Sequence, residues 1–145
     1  MEKDEIPLGR LLLGAARHTS ALVCSRLRAH GYEVRFAHSA LITNLDEDGT
    51  RLTTLAERAE MSKQAMGILA KELEAVGFVE RQADPTDARA VLITPTKRGH
   101  ELIHDLVKEM AAVENELRDS LGEDELRTIR RCLSVLWRSS GAPLA

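Results

Sequence analysis

Residues 52–99 read LTTLAERAEMSKQAMGILAKELEAVGFVERQADPTDARAVLITPTKRG, and the changes of hydrophobic period along this stretch decide the fold. Thr53 is placed to cap a short helix running through about residue 60, and Ser62 to cap a second one through Val76, with Gly77 as its stop. Leu55, Ala56 and Ala59 are spaced to meet Met66, Leu69, Ala70, Leu73 and Val76, which accounts for the apolar residues of both helices. Two helices joined by so tight a turn form a helix-turn-helix. Lys63, Gln64, Gly67, Ile68 and Lys71 are left facing outward. After Gly77 the period falls to about two: residues 78–83 and 89–94 are β-prone runs around the turn Asp84-Pro85-Thr86-Asp87. A hairpin directly after a helix-turn-helix is a wing, so residues 35–98 predict a winged helix.

Working outward, Leu8, Leu12, Ala15, Leu22 and Leu27 recur at helical spacing over residues 8–29, a helix of ~33 Å that stops at Gly31. A second helix is expected over residues 35–45, carrying Leu41, Ile42 and Leu45 and ending in Asp46-Glu47-Asp48-Gly49. On the other side, Thr96 is placed to cap a long helix with the stripe Leu102, Leu106, Met110, Val113 and Leu117. Gly122 separates it from a last helix bearing Leu126, Ile129, Leu133 and Leu136. Glu123-Asp124-Glu125 suit that helix's N-terminus, and Arg130, Arg131 and Arg138 its other end. The helices over residues 6–31 and 97–140 are longer and more apolar than one winged helix can bury, so they are expected to be dimerisation helices of a homodimer. The fold class is therefore mainly α with a small β-hairpin wing, a winged helix-turn-helix forming one unit across residues 1–145.

Composition excludes several classes. Of the 145 residues 43% are hydrophobic but only 3% aromatic, so aliphatic residues must fill the core, which favours helices. No apolar run approaches the ~18 residues of a membrane span, and no signal-cleavage pattern follows the short leucine run at residues 11–13. The formal net charge of −3 argues against a nucleic-acid partner only if it is uniform. It is not: residues 1–50 carry six basic and seven acidic side chains, residues 51–99 eight and seven, and residues 100–145 six and nine. Cys24 and Cys132 form no CxxC and no disulfide framework, which makes a reducing cytoplasm the expected location. GxSxG, P-loop, Rossmann, HExxH and CxxC patterns are all missing, so neither catalysis nor a cofactor is expected.

Taken in order, these segments resemble the MarR family of bacterial transcription regulators over nearly the whole chain. The run 55–59 (LAERA) is similar to the first helix of the family's reader, 62–66 (SKQAM) to the start of its recognition helix, and 73–81 (LEAVGFVER) to its exit into the wing. Residues 84–89 (DPTDAR) resemble the family's acidic-turn-arginine wing, and Thr96-Lys97-Arg98-Gly99 its Thr-x-x-Gly. The chain departs from the family's common pattern at Ala88, Pro95, Gly67 and Ile68. The resemblance implies a homodimer on double-stranded DNA with a pseudo-palindromic operator, often released by a small aromatic or phenolic ligand.

On this reading the candidate DNA contacts are Arg58, Ser62, Lys63, Gln64, Gly67, Ile68, Lys71 and Arg89. A lysine donates to guanine or phosphate, a glutamine pairs with adenine, and Arg58 on the supporting helix meets phosphate. Asp87 is expected to hold the Arg89 guanidinium for a narrow minor groove. Arg17, His18, His38, Ser39 and His100 are the candidate ligand contacts, in a crevice where the first, second and fifth helices converge. Three other readings stay open: a protein-interaction module without DNA binding, a metal-responsive regulator using His100 and His104 with His38 or His18, and a thiol-responsive one using Cys24 or Cys132.

Overall fold

The computed structural model describes residues 5–140 and runs α1 (Leu8–Ala29), a 3-10 turn (Phe36–His38), α2 (Ser39–Ile42), β1 (Thr50–Arg51), α3 (Leu52–Arg58), α4 (Lys63–Ala75), β2 (Val79–Asp84), β3 (Asp87–Pro95), α5 (Lys97–Leu121) and α6 (Glu123–Ser139). The three strands form one antiparallel sheet in the order β1-β3-β2. The fold class expected from sequence is thus observed. Among the described residues no helix is long and apolar enough to cross a membrane.

Helix ends follow local chemistry. Ser62 accepts the Ala65 N–H at 3.1 Å and Thr96 accepts the Gly99 N–H at 3.1 Å, so both expected caps are in place. Helices α1, α3 and α4 end alike: the N–H groups of Tyr32, Met61 and Phe78 return to the carbonyls of Leu27, Ala56 and Leu73, the paired bonds that close a helix through a left-handed residue. Glycine fills that position at residues 31 and 77, whereas Glu60 adopts φ 52° between α3 and α4.

Two expectations are corrected. Thr53 caps nothing, because Thr50 and Arg51 pair with Ile93 and Leu92 of β3 and hold the backbone extended up to Leu52, where α3 begins. The helix expected over residues 35–45 is a 3-10 turn and a single α turn. Its ends are tied by side chains: His38 Nδ1 accepts the Arg35 N–H, Thr43 donates to Ser39 O and Asn44 to Ala40 O.

The core lies between the reader and the root of the wing, with Leu27, Leu41, Leu55, Met66, Leu73, Phe78, Ile93 and Leu102 fully buried. At its centre the N-terminus of α5 rests on the start of the wing. Thr96 N–H donates to Phe78 O (3.1 Å), and its hydroxyl to Gly77 O (2.6 Å). A Cβ on Gly99 would stand 2.0 Å from Phe78 O, so only glycine fits. Gly99→Ala is expected to cost at least ~2–3 kcal/mol of folding free energy, since backbone must move to admit the methyl group. A chemical-denaturation midpoint close to that of the wild type would contradict this packing.

Candidate nucleic-acid interface

Helix α4 buries Met66, Leu69, Ala70 and Leu73 and turns Lys63, Gln64, Ile68 and Lys71 to solvent, with Gly67 between them half-buried. Neither lysine has an acidic partner among the described residues. Ser62 sits at the N-terminal end of this face with its hydroxyl oxygen engaged as the cap.

Arg58 is tied inward. Its Nη1 donates to Asn44 O at 2.8 Å and to Asp46 Oδ2 at 3.0 Å, fastening α3 to the loop before β1. The expectation of a free phosphate contact is therefore modified: Nη1 serves the fold, because the loop carbonyl and carboxylate lie within its reach.

The wing is held by a different acid from the one expected. Asp87 is exposed, and its Oδ1 accepts the Arg89 backbone N–H at 3.0 Å, so it shapes the turn rather than gripping the guanidinium. The buried acid is Asp84. It accepts from Thr86 N–H (2.8 Å), the Thr86 hydroxyl (2.6 Å) and Arg51 Nε (2.5 Å), while Arg51 Nη2 donates to Thr86 Oγ1 (3.0 Å). Thr86 first and Arg51 after it hold the Asp84 carboxyl well down, at about 2. Arg51 was missed because its partner lies 33 residues away, and no local spacing signals that pair. Arg89 itself lies on β3, exposed and without an acidic partner among the described residues.

The five candidate ligand contacts do not converge. Arg17 and His18 are exposed on α1. His38 is buried with both ring nitrogens engaged. Since Nδ1 accepts the Arg35 N–H, the proton is on Nε2, which donates to Glu72 Oε2 at 2.8 Å. With Arg35 on the same oxygen, at 2.5 Å, the His38 ring foremost holds the Glu72 carboxyl below its usual range. His38 thus ties the 3-10 turn to α4. His100 lines a shallow depression with Tyr32, Glu101, His104 and Asp105. There the Tyr32 hydroxyl donates to Asp105 at 2.6 Å, which pushes the phenol up to about 12. Only Ser39 borders the larger crevice, a groove of about 740 Å³ between α1, α2, α5 and α6 lined mainly by apolar groups, including Val23, Met110, Leu133 and Trp137.

No group of three or more His, Cys, Asp or Glu able to hold a metal occurs among the described residues. Cys24 is buried and Cys132 exposed, both as free thiols, and burial pushes the Cys24 thiol up despite the nearby Arg28.

A helix-turn-helix with one uncommitted face, followed by a hairpin tied to it, defines a winged-helix protein. Residues 33–90 match the sequence profile of the MarR family. The comparison with curated proteins finds no match. A MarR transcriptional regulator from Methanosarcina mazei Go1 superposes with a TM-score of 0.80 at 20% identity, over 92% of this chain and 95% of that one. A crystal structure of MarR gives 0.75 at 26% identity over 97% and 94%. Wild-type apo MarR from E. coli gives 0.72 at 22% over 92% and 98%. Residues 33–90 are thus similar in sequence to the MarR family, and the chain has the fold of these MarR regulators.

Asp84 tests the wing anchor. Folding lowers its pKa from 3.8 to about 2, so its stabilisation is complete above about pH 4 and is lost as pH falls through about 2. Asp84→Asn should therefore melt below the wild type at pH 7, with a gap that narrows below pH 4. A gap that stays constant down to pH 2 would show that the carboxylate charge is not what holds the turn.

Proposed function

We propose that this protein is a sequence-specific DNA-binding transcriptional regulator, a homodimeric repressor that reads a pseudo-palindromic operator. The observation that carries this is the outward face of α4. The opposite face of that helix is packed through Met66, Leu69, Ala70 and Leu73, and Lys63, Gln64 and Lys71 remain exposed without partners among the described residues. In a recognition helix these groups reach base edges and phosphates, and the exposed Arg89 on the tethered wing reaches the adjacent minor groove.

The dimer is supported by apolar residues that the single chain leaves uncovered. Leu8, Leu11 and Leu13 on α1 and Ile129, Leu133, Leu136 and Trp137 on α6 are all at least two-fifths exposed, more than an isolated surface carries without function. Pairing these helices with those of a second copy covers them and sets the two recognition helices about one DNA turn, ~34 Å, apart. Sedimentation at micromolar concentration should show a dimer. A stable monomer would remove the basis for operator symmetry.

Release by a small aromatic or phenolic ligand is the regulatory part of the proposal, and the groove bordered by Ser39 is the site that supports it. Such a ligand acts only by favouring one spacing of the recognition helices over another. An aromatic-acid screen scored on operator release tests this part. Release by zinc or peroxide alone would favour the metal or thiol reading instead.

Lys63→Ala and Gln64→Ala should each weaken a selected operator by ~1–3 kcal/mol while changing random-duplex binding much less. Arg89→Ala should weaken both and reduce the slope of log affinity against log salt by about one. Fluorescence anisotropy across a salt series measures all three. Equal losses on every duplex would mean that α4 does not read sequence, and no salt-sensitive binding to any duplex would favour the protein-interaction module.

A further inference from the structure

Gly67 and Ile68 are consecutive residues on the outward side of α4, Gly67 between Lys63 and Lys71 and Ile68 nearer its edge, and the fold explains neither. A glycine inside a helix lowers stability relative to alanine. At Gly99 the Phe78 carbonyl compels it, but a Cβ at Gly67 would meet only Leu52 Cδ2, at an ordinary 3.9 Å. Alanine would therefore fit the protein. Ile68 is 53% exposed, an apolar side chain among Lys63, Gln64 and Lys71 on the one face of α4 that makes no internal packing.

Both anomalies have one explanation if a partner approaches this face closely. The geometry points to Gly67 and Ile68 as a reader of thymine: Gly67 removes the side chain that would hold the helix backbone away from the groove floor, and Ile68 covers a thymine C5-methyl group. That methyl is the apolar feature that base edges present in the major groove. Gln64, one helical turn before Ile68, has the donor and acceptor that pair with adenine, so the two residues together select A·T pairs at neighbouring positions of each half-site. This inference rests on the DNA-binding reading above and adds the base chemistry to it.

The test uses the full-length protein and an operator selected from a random duplex pool, with each thymine replaced in turn by uracil, which lacks only the methyl group. At one thymine per half-site the replacement should weaken wild-type binding roughly fourfold, the effect of uncovering one methyl. Ile68→Ala changes both half-sites at once and should lose roughly fifteenfold on the thymine operator, as should wild type when that thymine is replaced in both half-sites. The variant should show no further loss on the doubly replaced operator. Gly67→Ala should raise the melting temperature by about 2–4 °C while weakening operator binding at least tenfold, because the same methyl group helps the helix and obstructs the groove. Tight, salt-sensitive operator binding that is indifferent to uracil at every position would overturn the thymine reader and leave DNA binding standing. An additive loss in Ile68→Ala with uracil, or unchanged binding by Gly67→Ala, would overturn it too. No salt-sensitive binding to any duplex would overturn both readings.

Discussion

The carbonyl of Phe78 has no side chain between it and the first turn of α5, and three parts of the molecule meet at that contact. The backbone N–H of Phe78 closes the end of α4 on Leu73, its carbonyl receives Thr96, and its ring lies under the Arg98 guanidinium and beside Tyr32. The recognition helix, the root of the wing and the long helix α5 are thus joined within a few residues. Close-packed junctions of this kind do not deform smoothly, so a displacement of α5 must carry the end of α4 with it.

Three polar ties supplement it, each between segments distant in sequence. Arg51 and Asp84 bind the start of α3 to the wing turn, Arg58 and Asp46 bind the end of α3 to the loop before β1, and His38 and Arg35 bind the 3-10 turn to Glu72 on α4. Exposed ion pairs contribute little to stability, but Asp84 and His38 are buried, and a buried polar group deprived of its partner is costly. These ties use cations and acids that a charge count assigns to the surface. Lys63, Lys71 and Arg89 are among the cations left without an acidic partner among the described residues, and an overall charge of −3 does not stand against a DNA-facing surface.

Elements whose signal is local were legible in the sequence by itself. Ser62 and Thr96 cap the helices they were expected to cap, Gly77 ends α4, the apolar stripes of α3 and α4 face each other, and the hairpin follows. Each rests on residues within one or two turns, where backbone geometry and side-chain chemistry act directly. The ordered set of such segments was also enough to suggest the family. Tertiary structure decided what depends on residues far apart. A two-residue strand, Thr50–Arg51, exists only because β3 offers it an edge, and it shifts the start of α3 away from Thr53. Asp84 and not Asp87 anchors the wing because Arg51 arrives from 33 residues away, and the five polar residues assigned to one crevice separate because helix packing, not spacing, sets where each faces. Local periodicity specifies which side of an element is buried, whereas the partner on that side is fixed only when the chain closes on itself.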